Sequence, residues 1–217
     1  MCQGGLVAGP GLEHGGRKAR AVQTEVALKE AGRRVFARSG YLDAKITDIA
    51  AEAGRSVGSF YKHFAGKDEL LQALLADWVA RAGAELTGQS AGDDLSEPTA
   101  LRARVAAYWF TYRAHVPEIR ALLQAAQVSP VFARQLAQFR HAELGTMREH
   151  LARLGSAGYQ LPGDPAVLAS AVNALLEGFC ASWIAGDGEP IGRPLADDEA
   201  IDTLTGLLSY GVVGPRR

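Results

Sequence analysis

Cysteine is scarce in this chain: Cys2 and Cys180 are the only two among 217 residues. Two thiols so far apart form neither a disulfide framework nor a metal-ligand spacing. Cys180 falls in an apolar helical pattern and reads as a small buried hydrophobe. Long apolar runs are missing as well. No stretch approaches the roughly 18–20 residues that span a bilayer, so no membrane partner is expected. The N-terminus has no continuous apolar segment of the signal-peptide kind, which leaves a cytoplasmic location as the expectation. Alternation of Val, Ile and Thr with polar residues is absent, so no sheet is predicted. Catalytic signatures are absent too. Gly66-Lys67 is followed by Asp68 and lacks the upstream glycine of a phosphate-binding loop. His141 and His150 stand nine apart with no His-Glu-x-x-His pattern, which gives zinc hydrolysis no support. Cys180 near Glu177 has no histidine partner in sequence. No catalytic residue, metal or cofactor is expected.

What is present is an ordinary globular composition, with 47% hydrophobic and 22% charged residues. The net charge of −1 conceals an asymmetry. Residues 1–66 hold 10 basic and 6 acidic side chains, whereas residues 67–217 hold 13 and 18. A basic first third on an acidic remainder points to a polyanion as partner of the N-terminal part.

Along the chain, residues 1–20 are Gly-rich at first and aperiodic, and read as a disordered tail. Its last part carries Arg17, Lys18 and Arg20, either a solvated lead-in or a basic arm toward DNA. From Thr24, Leu28, Ala31, Val35 and Phe36 recur at helical spacing until Gly40 supplies a stop. A short helix fits Thr47–Ala53. Gly54-Arg55-Ser56 breaks it, and Ser56 caps a third helix over Val57–Phe64. A longer helix over Lys67–Leu86 puts Leu70, Leu71, Leu74, Leu75 and Trp78 on one face. Further helices are read over Thr99–His115, from Pro117, from Ser129-Pro130 to about Leu154, over Pro165–Ala185 after an Asp164 cap, and over Ala196–Tyr210. The fold class is all-α, with a domain at 21–66 and a larger helical one at 67–217.

Two short helices joined by a tight Gly-containing turn, inside a basic three-helix segment, make a helix-turn-helix. The second helix must lie in the major groove, so its outer face needs a low profile, which Val57, Gly58 and Ser59 provide. Phe60 and Phe64 anchor it from the other side, and Tyr61, Lys62 and His63 are placed to reach phosphates or base edges. Lys45 joins these as a candidate DNA contact.

Phe36-Ala37-Arg38-Ser39-Gly40-Tyr41, then Thr47-Asp48-Ile49-Ala50-Ala51-Glu52-Ala53-Gly54, then Gly58-Ser59-Phe60-Tyr61-Lys62-His63-Phe64-Ala65-Gly66-Lys67-Asp68-Glu69-Leu70-Leu71 resembles the N-terminal domain of the TetR family, over about Thr24–Leu71. The resemblance implies a three-helix domain that binds double-stranded operator DNA, a helical domain that binds a small-molecule effector, and a homodimer formed through the last two helices. By position it makes Thr47 a phosphate contact, Ser56, Val57, Gly58 and Ser59 groove-facing residues, and Tyr61 and His63 backbone contacts. It places Lys67 at a phosphate held by the N-terminus of the fourth helix, an arrangement the helix dipole also favours. Three residues depart from the family pattern. Arg55 replaces an apolar turn residue, and either points toward DNA or marks a turn that packs differently. Gly32 stands inside the first helix at roughly 1 kcal/mol in propensity. Lys29 replaces an apolar residue and covers apolar surface with its stem.

The remaining two thirds carry no diagnostic motif. Aromatics are concentrated there, and a pocket between bundle helices is the expected ligand site. The candidates are Trp78, Tyr108, Tyr112, Phe139 and Trp183, with Gln127, Asn173 and Glu177 as polar partners. The last two helices are apolar over much of their circumference, which fits a four-helix interface across a two-fold axis. The expected function is a transcriptional repressor released from a palindromic operator by a small, largely apolar ligand. The competing class is an all-α small-molecule-binding protein without operator activity.

Overall fold

The computed structural model describes residues 11–86, 97–185 and 193–211. Among them there is no strand, and the chain divides into two compact units between Ala76 and Asp77.

The first unit begins with α1 (Gly11–Asp43). The stretch read as a disordered tail to residue 20 is therefore helical from Gly11 on, and residues 1–10 lie outside the described residues. Once a helix is nucleated, each added residue gains one backbone bond, so a segment poor in helical pattern extends one rich in it. Lys18 and Arg20 are thus exposed on a helix rather than on a loose arm. Gly40 breaks α1 as expected, with φ 71° and ψ 174°, a backbone that side-chain-bearing residues rarely adopt. Next come α2 (Ile46–Glu52), α3 (Val57–Phe60) and the start of α4 (Lys67–Leu86). Their shared core is Leu28, Ala31, Val35, Phe36, Ile49, Ala50, Phe60, Phe64, Leu70, Leu71, Leu74 and Leu75. The opening turns of α4 thus belong to this core, which puts the boundary ten residues later than the expected division after residue 66.

Gly32 has a physical reason to be glycine. A Cβ there would stand 2.7 Å from Leu70 Cδ2, so its absence lets α1 and α4 approach closely. Lys29 keeps a largely covered side chain, as expected, and pairs with Glu25 at 3.1 Å. Arg34 and Arg38 of α1 both hold Glu52 of α2, at 2.7 and 3.5 Å. The Arg34 hydrogen bond is the main reason the Glu52 carboxyl sits below the usual range.

The second unit contains α5 (Pro98–Ala114), α6 (Val116–Val128), α7 (Pro130–Ser156), α8 (Pro165–Cys180) and α9 (Asp197–Gly211). A π-helical turn, Ala181–Ala185, prolongs α8. The α5, α8 and α9 helices enclose Leu101, Val105, Trp109, Val172, Leu176, Cys180, Ile201, Leu204 and Leu208. Burial pushes the Cys180 thiol up to about 12, as befits the buried hydrophobe it was expected to be. Asp164 caps α8 by accepting from the amides of Ala166 and Val167, at 2.8 and 3.3 Å. On the surface, Arg102 spans Asp198 and Asp202, at 2.9 and 2.7 Å. Asp197 accepts from Trp109 Nε1 at 2.8 Å and from Arg113.

One expectation fails here. Pro165–Ala185, 21 residues of mean hydropathy 1.5, is long and apolar enough to cross a membrane by length and composition. Ser170, Asn173, Glu177 and Ser182 interrupt the run to the eye, but Ala, Val and Leu keep its mean high. Only 22% of the window is buried, yet Glu177 within it forms a 2.7 Å ion pair with Arg140 of α7.

Candidate nucleic-acid interface

The turn between α2 and α3 is built around Gly54, at φ +63°. Arg55 N–H bonds the Ala50 carbonyl at 2.8 Å and Gly54 N–H bonds the Ala51 carbonyl at 2.9 Å. This is the paired closure that a glycine just past a helix end permits. It needs no particular side chain at Arg55, which is exposed and reaches the Gly54 carbonyl at 3.3 Å. The turn is regular, and the Arg55 side chain is exposed.

Ser56 caps α3 by accepting from Ser59 N–H at 3.1 Å, as expected. The regular helix then stops at Phe60, short of the expected Phe64, and the backbone continues in single turns through His63. Phe60 and Phe64 are buried, their rings 5.7 Å apart, and they anchor the segment. On the other side lie Val57, Gly58, Tyr61 and Lys62, all exposed, with Ser59 and His63 partly so. A Cβ at Gly58 would meet only Ser56 Oγ, at 3.9 Å. Lys45 occupies the N-cap of α2 and is exposed. Thr47 is exposed in the first turn, its hydroxyl 3.3 Å from Asp48 Oδ1. These residues therefore form one exposed polar display on two short helices, with the low centre that groove entry requires.

Lys67 does not join that display. Its ammonium donates to the carbonyls of Tyr41, Leu42 and Ala44, at 2.8, 2.9 and 3.4 Å. It also lies 4.6 Å from the centre of the Tyr41 ring. Asp68 accepts from the Tyr41 hydroxyl, and Glu69 accepts from Ala65 N–H at 2.6 Å. Burial is the first cause that raises the Tyr41 phenol, followed by Asp68. The start of α4 thus already carries two carboxylates of its own, and the expectation of a phosphate anchored by Lys67 has a competitor. Tyr41 and Asp68 were missed as participants because their meeting depends on how α1 and α4 pack, although Gly40-Tyr41 stood in the motif.

The aromatic ligand candidates gather in two places in the second unit: Tyr108, Tyr112 and Trp183 in the cluster of α5, α8 and α9, and Trp78 with Phe139. Trp78 stacks on His115 with centroids 5.3 Å apart and meets Phe139 at 5.8 Å. Tyr108 and Tyr112 lie 6.5 Å apart on α5, and Trp183 meets Phe179 at 6.1 Å. Burial, then the Glu143 charge, holds the Tyr108 phenol far above its usual range. Asn173 is half-buried on α8, Glu177 is engaged by Arg140, and Gln127 is exposed in the last turn of α6. An open depression of about 360 Å³ lies by the α7–α8 loop. Gly155, Gly158, Tyr159, Gln160 and Leu161 line it, and none of the candidates is among them.

Residues 28–74 match the family model described as bacterial regulatory proteins, tetR family. The chain is 43% identical over 58 residues to the HTH-type transcriptional regulator SrpR of Pseudomonas putida, which is 27% of each protein. It is 36% identical over 81 residues to the HTH-type transcriptional regulator TtgR, also of Pseudomonas putida, 37% of this chain and 38% of that one. The similarity to these curated relatives spans well under half of their length. Among solved structures, AibR in complex with isovaleryl coenzyme A and operator DNA superposes with a TM-score of 0.67 at 20% identity. That match covers 85% of this chain and 97% of AibR. The fold of both units is therefore shared with solved regulators, while the sequence likeness to the curated relatives spans at most 37% of this chain.

Proposed function

We infer, from an N-terminal domain that belongs to the tetR family of bacterial regulatory proteins, that this chain is a transcriptional repressor that binds a palindromic operator as a homodimer. A small, largely apolar ligand held by the second unit releases it. The observation that carries this reading is the exposed face of α2 and α3. Lys45, Thr47, Arg55, Val57, Gly58, Tyr61 and Lys62 are presented outward while Phe60 is fully buried beneath them. Phosphate contacts from the Lys, Arg and Tyr side chains position the protein, and Val57, Gly58 and Ser59 meet the base edges.

Dimerisation is supported by the apolar side chains that α8 and α9 leave exposed: Val167, Leu175, Leu207 and Tyr210. A second copy covers them, which also accounts for the low burial of so apolar a helix as α8. The ligand site is drawn from the partly buried aromatics Tyr108, Trp78, Phe139 and Trp183, with Tyr112 and Asn173 beside them.

Selection of bound duplexes from a random pool by the full chain, combined with sedimentation, tests the reading. The expected result is an inverted repeat with half-sites about one helical turn apart, roughly 34 Å or somewhat more, bound by a dimer. A monomer that enriches no sequence would overturn it. Arg55→Ala removes one phosphate-reaching cation per subunit, so its log–log salt dependence should be shallower by about 2 units per dimer.

A further inference from the structure

We propose that Lys67 is a positioning residue for DNA recognition, which fixes the connection between α1 and α2 and does not itself hold phosphate. The proposal rests on the DNA-binding function above. Its geometry begins at a helix end. The last carbonyls of α1 have no partner within their own helix, and a cation there is favoured by the helix dipole. Lys67 reaches three carbonyls on both sides of the turn that leaves α1, those of Tyr41, Leu42 and Ala44. An ammonium has three hydrogens, so its donors are matched one to one.

The Tyr41 ring lies 4.6 Å from the ammonium, and Asp68 holds the hydroxyl of that ring. The residue after Ala44 is Lys45, whose carbonyl accepts from Asp48 and Ile49 N–H at 3.1 and 3.2 Å, the first bonds of α2. The position of Ala44 therefore sets where α2 begins, and with it where Lys45 and Thr47 stand. A phosphate at the same place would have to displace backbone acceptors from Lys67 and approach the carboxylates of Asp68 and Glu69. The negative charges of Asp68 and Glu69 oppose that approach and offset the attraction of a helix N-terminus for an anion.

Two variants separate positioning from contact. Lys67→Gln removes the charge and keeps N–H donors for the carbonyls, whereas Lys67→Met removes both. The full chain is titrated with a labelled random-sequence duplex at several salt concentrations, and amide hydrogen exchange of the DNA-free chain is followed. Lys67→Gln should stay within about threefold of the original affinity, and Lys67→Met should lose about tenfold or more. Both should keep a parallel salt dependence, because no phosphate contact is lost. In Lys67→Met the Asp48 and Ile49 amides should exchange about tenfold faster or more, with α9 amides unchanged.

A salt dependence shallower by about 2 units in either variant makes Lys67 a phosphate contact and overturns the proposal. Unchanged exchange at Asp48 and Ile49 also overturns it. If Lys67→Met does not fold, the slope of Lys67→Gln decides. If the unsubstituted chain binds no duplex, the DNA-binding function fails, and the exchange measurement alone decides whether Lys67 organises α2.

Discussion

In the first unit, beside the Arg34 and Arg38 pairs with Glu52, side chains close helix ends: Ser56 caps α3, Glu69 meets Ala65 N–H, and Lys67 covers the last carbonyls of α1. In the second, beside the Asp164 cap of α8, charges run between the faces of long helices, as where Arg102 spans Asp198 and Asp202 or Arg140 reaches Glu177. Length explains the contrast. The α2 and α3 helices have 7 and 4 residues, whereas α5 to α9 have 13 to 27. Isolated helices shorter than about 12–15 residues are marginal in water, so the short pair depends on what closes and anchors it. A few named groups therefore fix the geometry of α2 and α3, while distributed packing fixes the second unit.

The contrast is most exposed to failure at Phe60, whose fully buried ring sits on the shortest helix. Phe60→Ala should cost about 3–5 kcal/mol, read from hydrogen exchange of the α2 amides. A loss near zero would mean that the caps, and not the anchor, hold the pair.

A smaller effect is expected where α1 meets α4. Gly32→Ala gains about 1 kcal/mol of helix propensity but drives a methyl into Leu70, a cost of about 1–3 kcal/mol. The net should be a destabilisation of about 1 kcal/mol that Leu70→Val relieves. Chemical denaturation of both single variants and the double variant measures the coupling. Additive effects would show that the close approach is not required.

The smallest effect belongs to the second unit, where one contact should matter least. Trp109→Phe removes the indole donor to the partly exposed Asp197 and should cost about 0.5–1.5 kcal/mol at neutral pH. The Trp109 hydrogen bond, with Arg113 after it, holds the Asp197 carboxyl below its usual 3.8. A depressed carboxyl stabilises above its ordinary value and loses that contribution as pH falls through the lower folded one. The gap between Trp109→Phe and the parent should thus close as pH drops below that ordinary value. A gap that stays constant to acid would assign the loss to packing.

What the residues disclosed in advance follows the same division. Gly54, Ser56 and the Thr47–Ala53 pattern predicted α2 and the start of α3 almost to the residue, because caps and glycine turns are local chemistry. Less was legible where a partner lay far along the chain. Gly32 looked like a propensity cost until Leu70 stood against it. Lys67 was expected at a phosphate, and its ammonium donates to the carbonyls of Tyr41, Leu42 and Ala44. The bond from Trp109 to Asp197 joins residues that no local pattern connects. The ligand candidates were chosen by residue type alone, which cannot tell a wall of packed rings from the lining of a pocket. The helical start at Gly11 escaped notice because the strongly periodic segment beyond Thr24 is what carries the helix back into it.

The π-helical turn after Cys180 bears on how the gene tolerates a deletion. Its backbone bonds reach one residue further than those of an α-turn, so the turn holds one residue more than α8 needs. Loss of a single codon within 181–185 would let the turn relax to α geometry while every residue up to Cys180 kept its place. The same loss inside α8 would rotate Val172 and Leu176 out of the core they share with Ile201 and Leu204. A length change that is ruinous two turns earlier is therefore a repairable one here, and Trp183, whose ring now meets Phe179, is the side chain it would redirect.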